Sequence, residues 1–234
     1  MILKFFPLIA FFLMSHSVTE VNSTNHKIIA VNAKPAADVR AESIYSHLNS
    51  NHFAMPRIES FKKAINGFYQ LKEQGLVKKD ILTIVDFSLS SNTKRLWVID
   101  LDTQTILFNS LVAHGKNTGQ EFATSFSNVN ESNKSSLGFY ATGEIYTGKH
   151  GMSLRLDGLE KGLNDNARSR SVVMHGADYV SESFIKNHNR LGRSQGCPAI
   201  PVEMTKKIIS TIKDKSCLFI YHPSVNSKSR LLVS

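Results

Sequence analysis

A mainly β domain with helical decoration is the fold class this sequence predicts, and three observations carry it. Between residues 81 and 115 three short apolar runs, ILTIVDF, RLWVIDL and TILFNSLVAHG, are separated by Ser-Asn and Asp-Thr turn signals. Strand texture returns at LGFYATGEIY, at SRSVVMHG and in the terminal CLFIYHP. Helical periodicity, by contrast, is confined to residues before 80 and to one segment near the end.

The elements follow in order. Residues 1–17, MILKFFPLIAFFLMSHS, place Lys4 ahead of an apolar stretch from Phe5 to Met14, with small Ser15 and Ser17 behind it. This is the layout of a secretory signal peptide cut after Ser17, since about ten apolar residues are half of the roughly twenty that cross a bilayer. An exported chain in the periplasm or associated with the cell wall is expected. Residues 18–38 are polar and broken by Pro35, a linker or lead-in. Residues 39–80 form a helical segment packed on the main domain. Its first helix spans 39–48. The second starts at Pro56 and repeats Ile58, Phe61, Ile65 and Phe68 along one face until Gly75 stops it. Residues 81–223 make the β domain, with a long polar stretch at 115–136 and an amphipathic helix at 202–213. A tail follows at 224–234. A polar loop as long as 115–136 inside a domain is usually functional.

Composition narrows the function. The chain has 234 residues, 41% hydrophobic and 20% charged, which excludes a disordered or collagen-like protein. Two cysteines are too few for a disulfide-built scaffold. The net charge of +9 suits an anionic polymer: nucleic acid, an acidic membrane face or acidic cell wall. No basic-aromatic motif supports nucleic acid, so no nucleic-acid partner is expected. No later run reaches membrane-spanning length, so no stable membrane insertion is expected once the signal is cleaved. His114, His150, His175, His188 and His222 show no HExxH, CxxC or His-x-His spacing, and no metal is expected. Carboxylate pairs such as Asp157 with Glu160 or Asp165 are of a kind any chain this size offers. No phosphate-binding or dinucleotide fingerprint is present.

The densest chemistry lies in VVMHGADYVSESFIKNHNRLGRSQGCPAIP, residues 172–201. A β-branched run ends at His175-Gly176, and twenty-two residues after the histidine comes Cys197, in Gly196-Cys197-Pro198. Cysteine attacks as thiolate, and a nearby imidazole takes its proton. A histidine at a strand end is held rigidly, as a base must be. Gly196 lets the backbone bend so that amide N–H groups face a carbonyl under attack. Together these describe acyl transfer by a cysteine. The bland alternative makes Cys197 half of a disulfide with Cys217, and His175 a satisfied structural histidine. Cys217, in the apolar CLFIY, has no base beside it and is the poorer nucleophile.

The stretch His175-Gly176 with Gly192-Arg193-Ser194-Gln195-Gly196-Cys197-Pro198-Ala199 resembles the active-site signature of the L,D-transpeptidases, cysteine enzymes that remodel peptidoglycan. It is closest in style to the murein L,D-transpeptidase catalytic domain branch of Gram-negative bacteria. TIVDFS, RLWVIDL, VAHGKNTG, SSLGFYATGEIYTGKHG, SLRLDGLEKGLNDNARSR and SCLFIYHP extend the likeness over residues 56–223. Gln195 stands where the widespread motif has histidine, and Pro198-Ala199 where it has arginine or asparagine.

The resemblance implies a β-sandwich-like catalytic domain with the cysteine at a cleft. It makes Cys197 the nucleophile and His175 its base, with the amides around Gly196 and Cys197 holding the oxyanion. The carbonyl of Ser194 or Gly176 would orient the imidazole. It implies peptidoglycan stem peptides as substrate, with Cys197 attacking the bond between the diamino acid and D-alanine of a tetrapeptide. The thioester would pass to an acceptor amine, or to water in an L,D-carboxypeptidase. A wall-binding module that has lost catalysis is the third reading. Arg168 and Arg170 are candidates for a stem carboxylate, and His150 and His114 for the cleft lining. No cofactor is needed, because thiolate, imidazole and amides supply every role.

Overall fold

A strand buried along nearly its whole length is the hub of the architecture. β1 (Ile81–Asp86) is covered on both faces, as its unbroken apolar run requires. It pairs antiparallel with β2 (Leu96–Asp100) and parallel with the last strand, β8 (Cys217–Tyr221). The computed structural model describes residues 37–232. The expected signal peptide at 1–17, and the lead-in up to residue 36, lie outside the described residues.

Eight strands form one mixed sheet in the order β3-β2-β1-β8-β4-β5-β6-β7. β3 spans Thr105–Ser110, β4 Gly138–Gly148, β5 Gly151–Gly158, β6 Val173–Gly176 and β7 Ala199–Ile200. The sheet curls until its margins meet. Beyond β3, the Ala113 N–H donates to the Ala199 carbonyl of β7 at 2.8 Å, and Gly115 bridges to Ser194. The mainly β class is what the structure shows, with the two apposed layers supplied by one sheet bent to a near-barrel.

Among the described residues four α-helices dress this sheet. α1 covers 37–47, so it starts two residues inside the expected lead-in. α2 (Ile58–Glu73) packs on β1 and β8 through Phe61, Ala64, Ile65, Phe68 and Leu71. Each large side chain buried there contributes about 1.5–3 kcal/mol. Gly67 sits where α2 comes closest to the sheet. A Cβ there would lie 2.0 Å from the Phe139 ring, itself stacked on Phe219 at 4.2 Å between centroids. Gly75, with φ +69°, ends the helix as a left-handed residue. α4 (Val202–Ile212) buries Thr205, Ile208, Ile209 and Ile212 against β6, β5 and β1.

Three elements go beyond the sequence reading. β5 alternates buried Leu154 and Leu156 with more exposed Arg155 and Asp157, a period of two that its bounding glycines obscure. α3 (Glu182–His188), capped by Ser181, is a short surface helix with no buried residue. β7 is two residues long and exists through its partners. The tail past residue 223 is fastened: Val225 and Ser229 are buried, the Ser229 hydroxyl donates to buried Glu160, and Gln70 donates to the Leu231 carbonyl at 3.1 Å. Among the described residues no helix is long and apolar enough to cross a membrane.

Candidate active site

Parallel pairing of β6 with β7 sets His175 beside Ala199, two residues after Cys197. Both His175 and Cys197 open into one cleft of about 920 Å³. Its rim is formed by the 115–136 loop, the β4–β5 hairpin tip and the segment 193–197.

The turn before β6 aims two backbone groups at the sulfur. The Ser171 N–H donates to the Arg168 carbonyl and the Val172 N–H to that of Ala167, leaving Ser171 left-handed at φ +55°. The Val173 N–H then lies 3.5 Å from Cys197 Sγ, and the thiol donates to the Ser171 carbonyl at 3.7 Å. Burial pushes the Cys197 thiol up, while the Val173 N–H and the charges of Arg170 and Lys149 pull it back. The net effect favours the protonated thiol. Its side chain is still partly exposed to the cleft.

His175 is 2% exposed. Its Nδ1 meets the Gly176 carbonyl at 2.9 Å. A carbonyl only accepts, so Nδ1 carries the proton and Nε2 is left with its lone pair. Burial lowers its pKa, and the charges of His150 and Lys149 lower it further. The ring is thus a neutral imidazole at pH 7. Of the two carbonyls considered, that of Gly176 is the one that meets the ring. The Ser194 carbonyl accepts from the Lys116 N–H at 2.7 Å instead.

The nucleophile loop is braced on both sides. Ser194 Oγ accepts from the Gly196 N–H at 3.0 Å and donates to the Cys197 carbonyl at 2.6 Å. The Gly196 amide is therefore engaged within the loop, which leaves the Cys197 N–H as the one of the expected pair without another acceptor. Gly196 has φ +125°, and a Cβ there would stand 2.9 Å from the Lys134 carbonyl. Ser135 Oγ, which accepts from the Gly115 N–H, donates to the Gly196 carbonyl at 3.1 Å.

The other candidates divide. Arg170 lines the cleft, but its guanidinium is spent on the Ser127 and Lys134 carbonyls and the Ser136 and Ser132 hydroxyls. It fastens the long loop and sends charge, not donors, toward the sulfur. Arg168 lies outside the cleft lining, in ion pairs with Asp157 and Glu144. His114 is buried beneath the nucleophile loop, at 1% exposure, and does not line the cleft. Arg95, fully buried, donates to His114 Nδ1 at 2.8 Å, so Nε2 holds the proton and donates to the Gly119 carbonyl at 3.3 Å. Burial and the Arg95 charge drive the His114 pKa down to about 4. The His114 carbonyl accepts from the Ser194 N–H at 3.0 Å, so this histidine supports the loop from below. His150 lines the cleft, as expected.

Lys116, Lys149, Arg193 and Tyr179 also line the cleft, and none of them was assigned a role from the sequence. Among the described residues none of the three cations is in an ion pair. Arg193 lies in the GRSQGC stretch, Lys116 in VAHGKNTG and Lys149 in SSLGFYATGEIYTGKHG, stretches quoted for the resemblance without a role for these side chains. Both cysteines are free thiols, Cys217 lying fully buried in β8, so the disulfide alternative does not hold.

A family profile described as the L,D-transpeptidase catalytic domain matches residues 54–221. Solved structures with a similar fold include an L,D-transpeptidase from Mycobacterium smegmatis, at 10% identity and a TM-score of 0.38, covering 61% of this chain and 59% of that one. The helical cell shape determining protein Pgp2 from Campylobacter jejuni is similar at 13% identity and a TM-score of 0.39, covering 67% of this chain and 56% of that one. The chain thus spans under two thirds of the length of these solved chains. No curated protein matches it. With the match running unbroken from the helical segment through both cleft residues to the end of β8, this chain belongs to the L,D-transpeptidase catalytic domain family.

Proposed function

We propose that the protein is a peptidoglycan L,D-transpeptidase in which Cys197 is the nucleophile and His175 its general base. The observation that carries this is the shared cleft: a proton-free Nε2 on β6 and a thiol beside β7 open into the same space, with the Val173 N–H at the sulfur. His175 Nε2 takes the thiol proton as sulfur attacks the carbonyl joining the diamino acid to D-alanine in a tetrapeptide stem. The Cys197 N–H faces the oxyanion. Collapse of the tetrahedral adduct breaks the C–N bond, and His175 returns its proton to the departing D-alanine amine. An amine from a neighbouring stem then attacks the thioester, His175 again accepting a proton, and sulfur leaves.

Substrate carboxylates find Lys116, Lys149 and Arg193, not Arg168 or Arg170. Export to the periplasm or cell wall by the 1–17 signal places the enzyme with this substrate, to which its basic charge adds a general attraction. Purified protein incubated with tetrapeptide muropeptides and resolved by mass is the test. Cross-linked dimers with released D-alanine support transfer. Tripeptides alone mean that water is the acceptor, and unchanged substrate overturns the enzyme reading.

A further inference from the structure

The β4–β5 hairpin brings its tip back over β6. There the His150 ring lies on the His175 ring with centroids 4.2 Å apart and planes only 14° from parallel. His150 itself is exposed, whereas His175 is buried. Core packing therefore does not explain the contact, because most of the outer ring faces the cleft and solvent. The Gly176 carbonyl restrains the His175 ring only at Nδ1, which leaves rotation about that hydrogen bond to be limited by what covers the ring face.

We propose that His150 is a positioning residue for the base: its ring holds the His175 imidazole flat, and its own charge decides whether His175 can take the Cys197 proton. This rests on the Cys197–His175 reading above. During attack His175 becomes an imidazolium. A neutral ring stacked on it offers a π face to that cation, a favourable arrangement. A protonated His150 sets two positive charges at stacking distance, where they repel. The base therefore works only when both rings start unprotonated.

Other charged and titratable groups line the same cleft. Lys149 and Tyr146 come from the hairpin, and Arg170 from the turn before β6. Arg193 and the Cys197 thiol come from the nucleophile loop, Tyr179 from beyond β6, and Lys116 and Glu131 from the long loop. Lys149 already disfavours protonation of His175. Of the groups lining the cleft, the His150 ring is the one stacked on His175.

The test uses the full chain with His150→Ala and His150→Phe, read by kinetics on tetrapeptide muropeptides and by NMR titration of the His175 ring. His150→Ala should lower kcat about tenfold with KM nearly unchanged, through loss of a held geometry. His150→Phe keeps a flat ring and should restore most of kcat at pH 7. The acid limb of log kcat should move to higher pH in His150→Phe, in step with the His175 titration. The His175 titration should move to higher pH in both variants, because a cationic neighbour is gone. An unmoved titration, or native kcat in His150→Ala, overturns the proposal. If no Cys197-dependent product forms at all, the transpeptidase reading fails instead, and the ring titration still decides the role of His150.

Discussion

The backbone N–H of Val173 points at Cys197 Sγ from 3.5 Å, so the same short strand that carries His175 two residues later also addresses the cysteine proposed as nucleophile. That strand supplies a donor for the thiolate as it forms, yet burial keeps the resting thiol protonated. Alkylation of the free protein by iodoacetamide should therefore be slow at pH 7 and rise only above pH 9, the ordinary value from which the thiol is raised. A fast, pH-independent reaction near neutrality would show a resting thiolate instead.

Turnover should follow the imidazole. Because the His175 pKa is lowered, its base form persists below pH 6.5, and kcat/KM should reach half its plateau on the acid side of that value. Cys197→Ala and His175→Gln should each remove at least about 1,000-fold of activity. The melting temperature of Cys197→Ala should stay close to native, since the side chain is small and partly exposed. A large loss of stability in that variant would assign the cysteine to the framework.

Acid should loosen the protein through His114. Its folded pKa of about 4 lies below the unfolded value of 6.5, so in that window the unfolded chain binds the extra proton. Stability is thus full above pH 6.5 and falls as pH drops toward 4, by on the order of 3 kcal/mol. His114→Gln, which can still accept from Arg95 and donate to Gly119, should flatten that dependence in urea titrations at pH 7 and pH 4.5. An equal slope in the variant would place the lost stability elsewhere.

Two glycines should resist alanine. Gly67→Ala improves helix propensity by about 1 kcal/mol, but its Cβ meets the buried Phe139 ring at 2.0 Å. A net destabilisation of about 1–3 kcal/mol should appear in the melting curve. Gly196→Ala places a Cβ against the Lys134 carbonyl at a positive φ, and should cost both stability and nearly all turnover, because the amide of Cys197 is displaced.

Much of this was legible in the sequence because apolar periodicity reports burial directly. The runs at 81–86, 96–100 and 217–221 are strands because their side chains are buried on both faces. Phe61, Ile65 and Phe68 face the sheet from the helix their spacing implied. β7 escaped because two residues cannot show a period, and α3 because a helix without a buried side never acquires an apolar stripe. At the site, the cysteine and histidine carry their chemistry in their residue types. The Val173 N–H and the Ser171 carbonyl do not, since backbone groups are the same in every residue. Arg168 and Arg170 looked alike as free cations. Partners distant in sequence, Glu144 and Asp157 for one and Ser127, Ser132 and Lys134 for the other, absorb them. His114 looked like a neighbour of the cleft, and only Arg95, brought from just before β2, shows it to be a buried strut.

The meeting of Ala113 with Ala199 turns the sheet into a hoop, and the reactive sulfur rides two residues from its weld. A margin strand of two residues would ordinarily fray and offer its open ladder to another molecule. Here that margin is soldered to the opposite one, so the amides around the nucleophile belong to the slowly exchanging part of the protein. Any change that parts the hoop at this joint should abolish the proposed Cys197-dependent turnover well before it lowers the melting temperature.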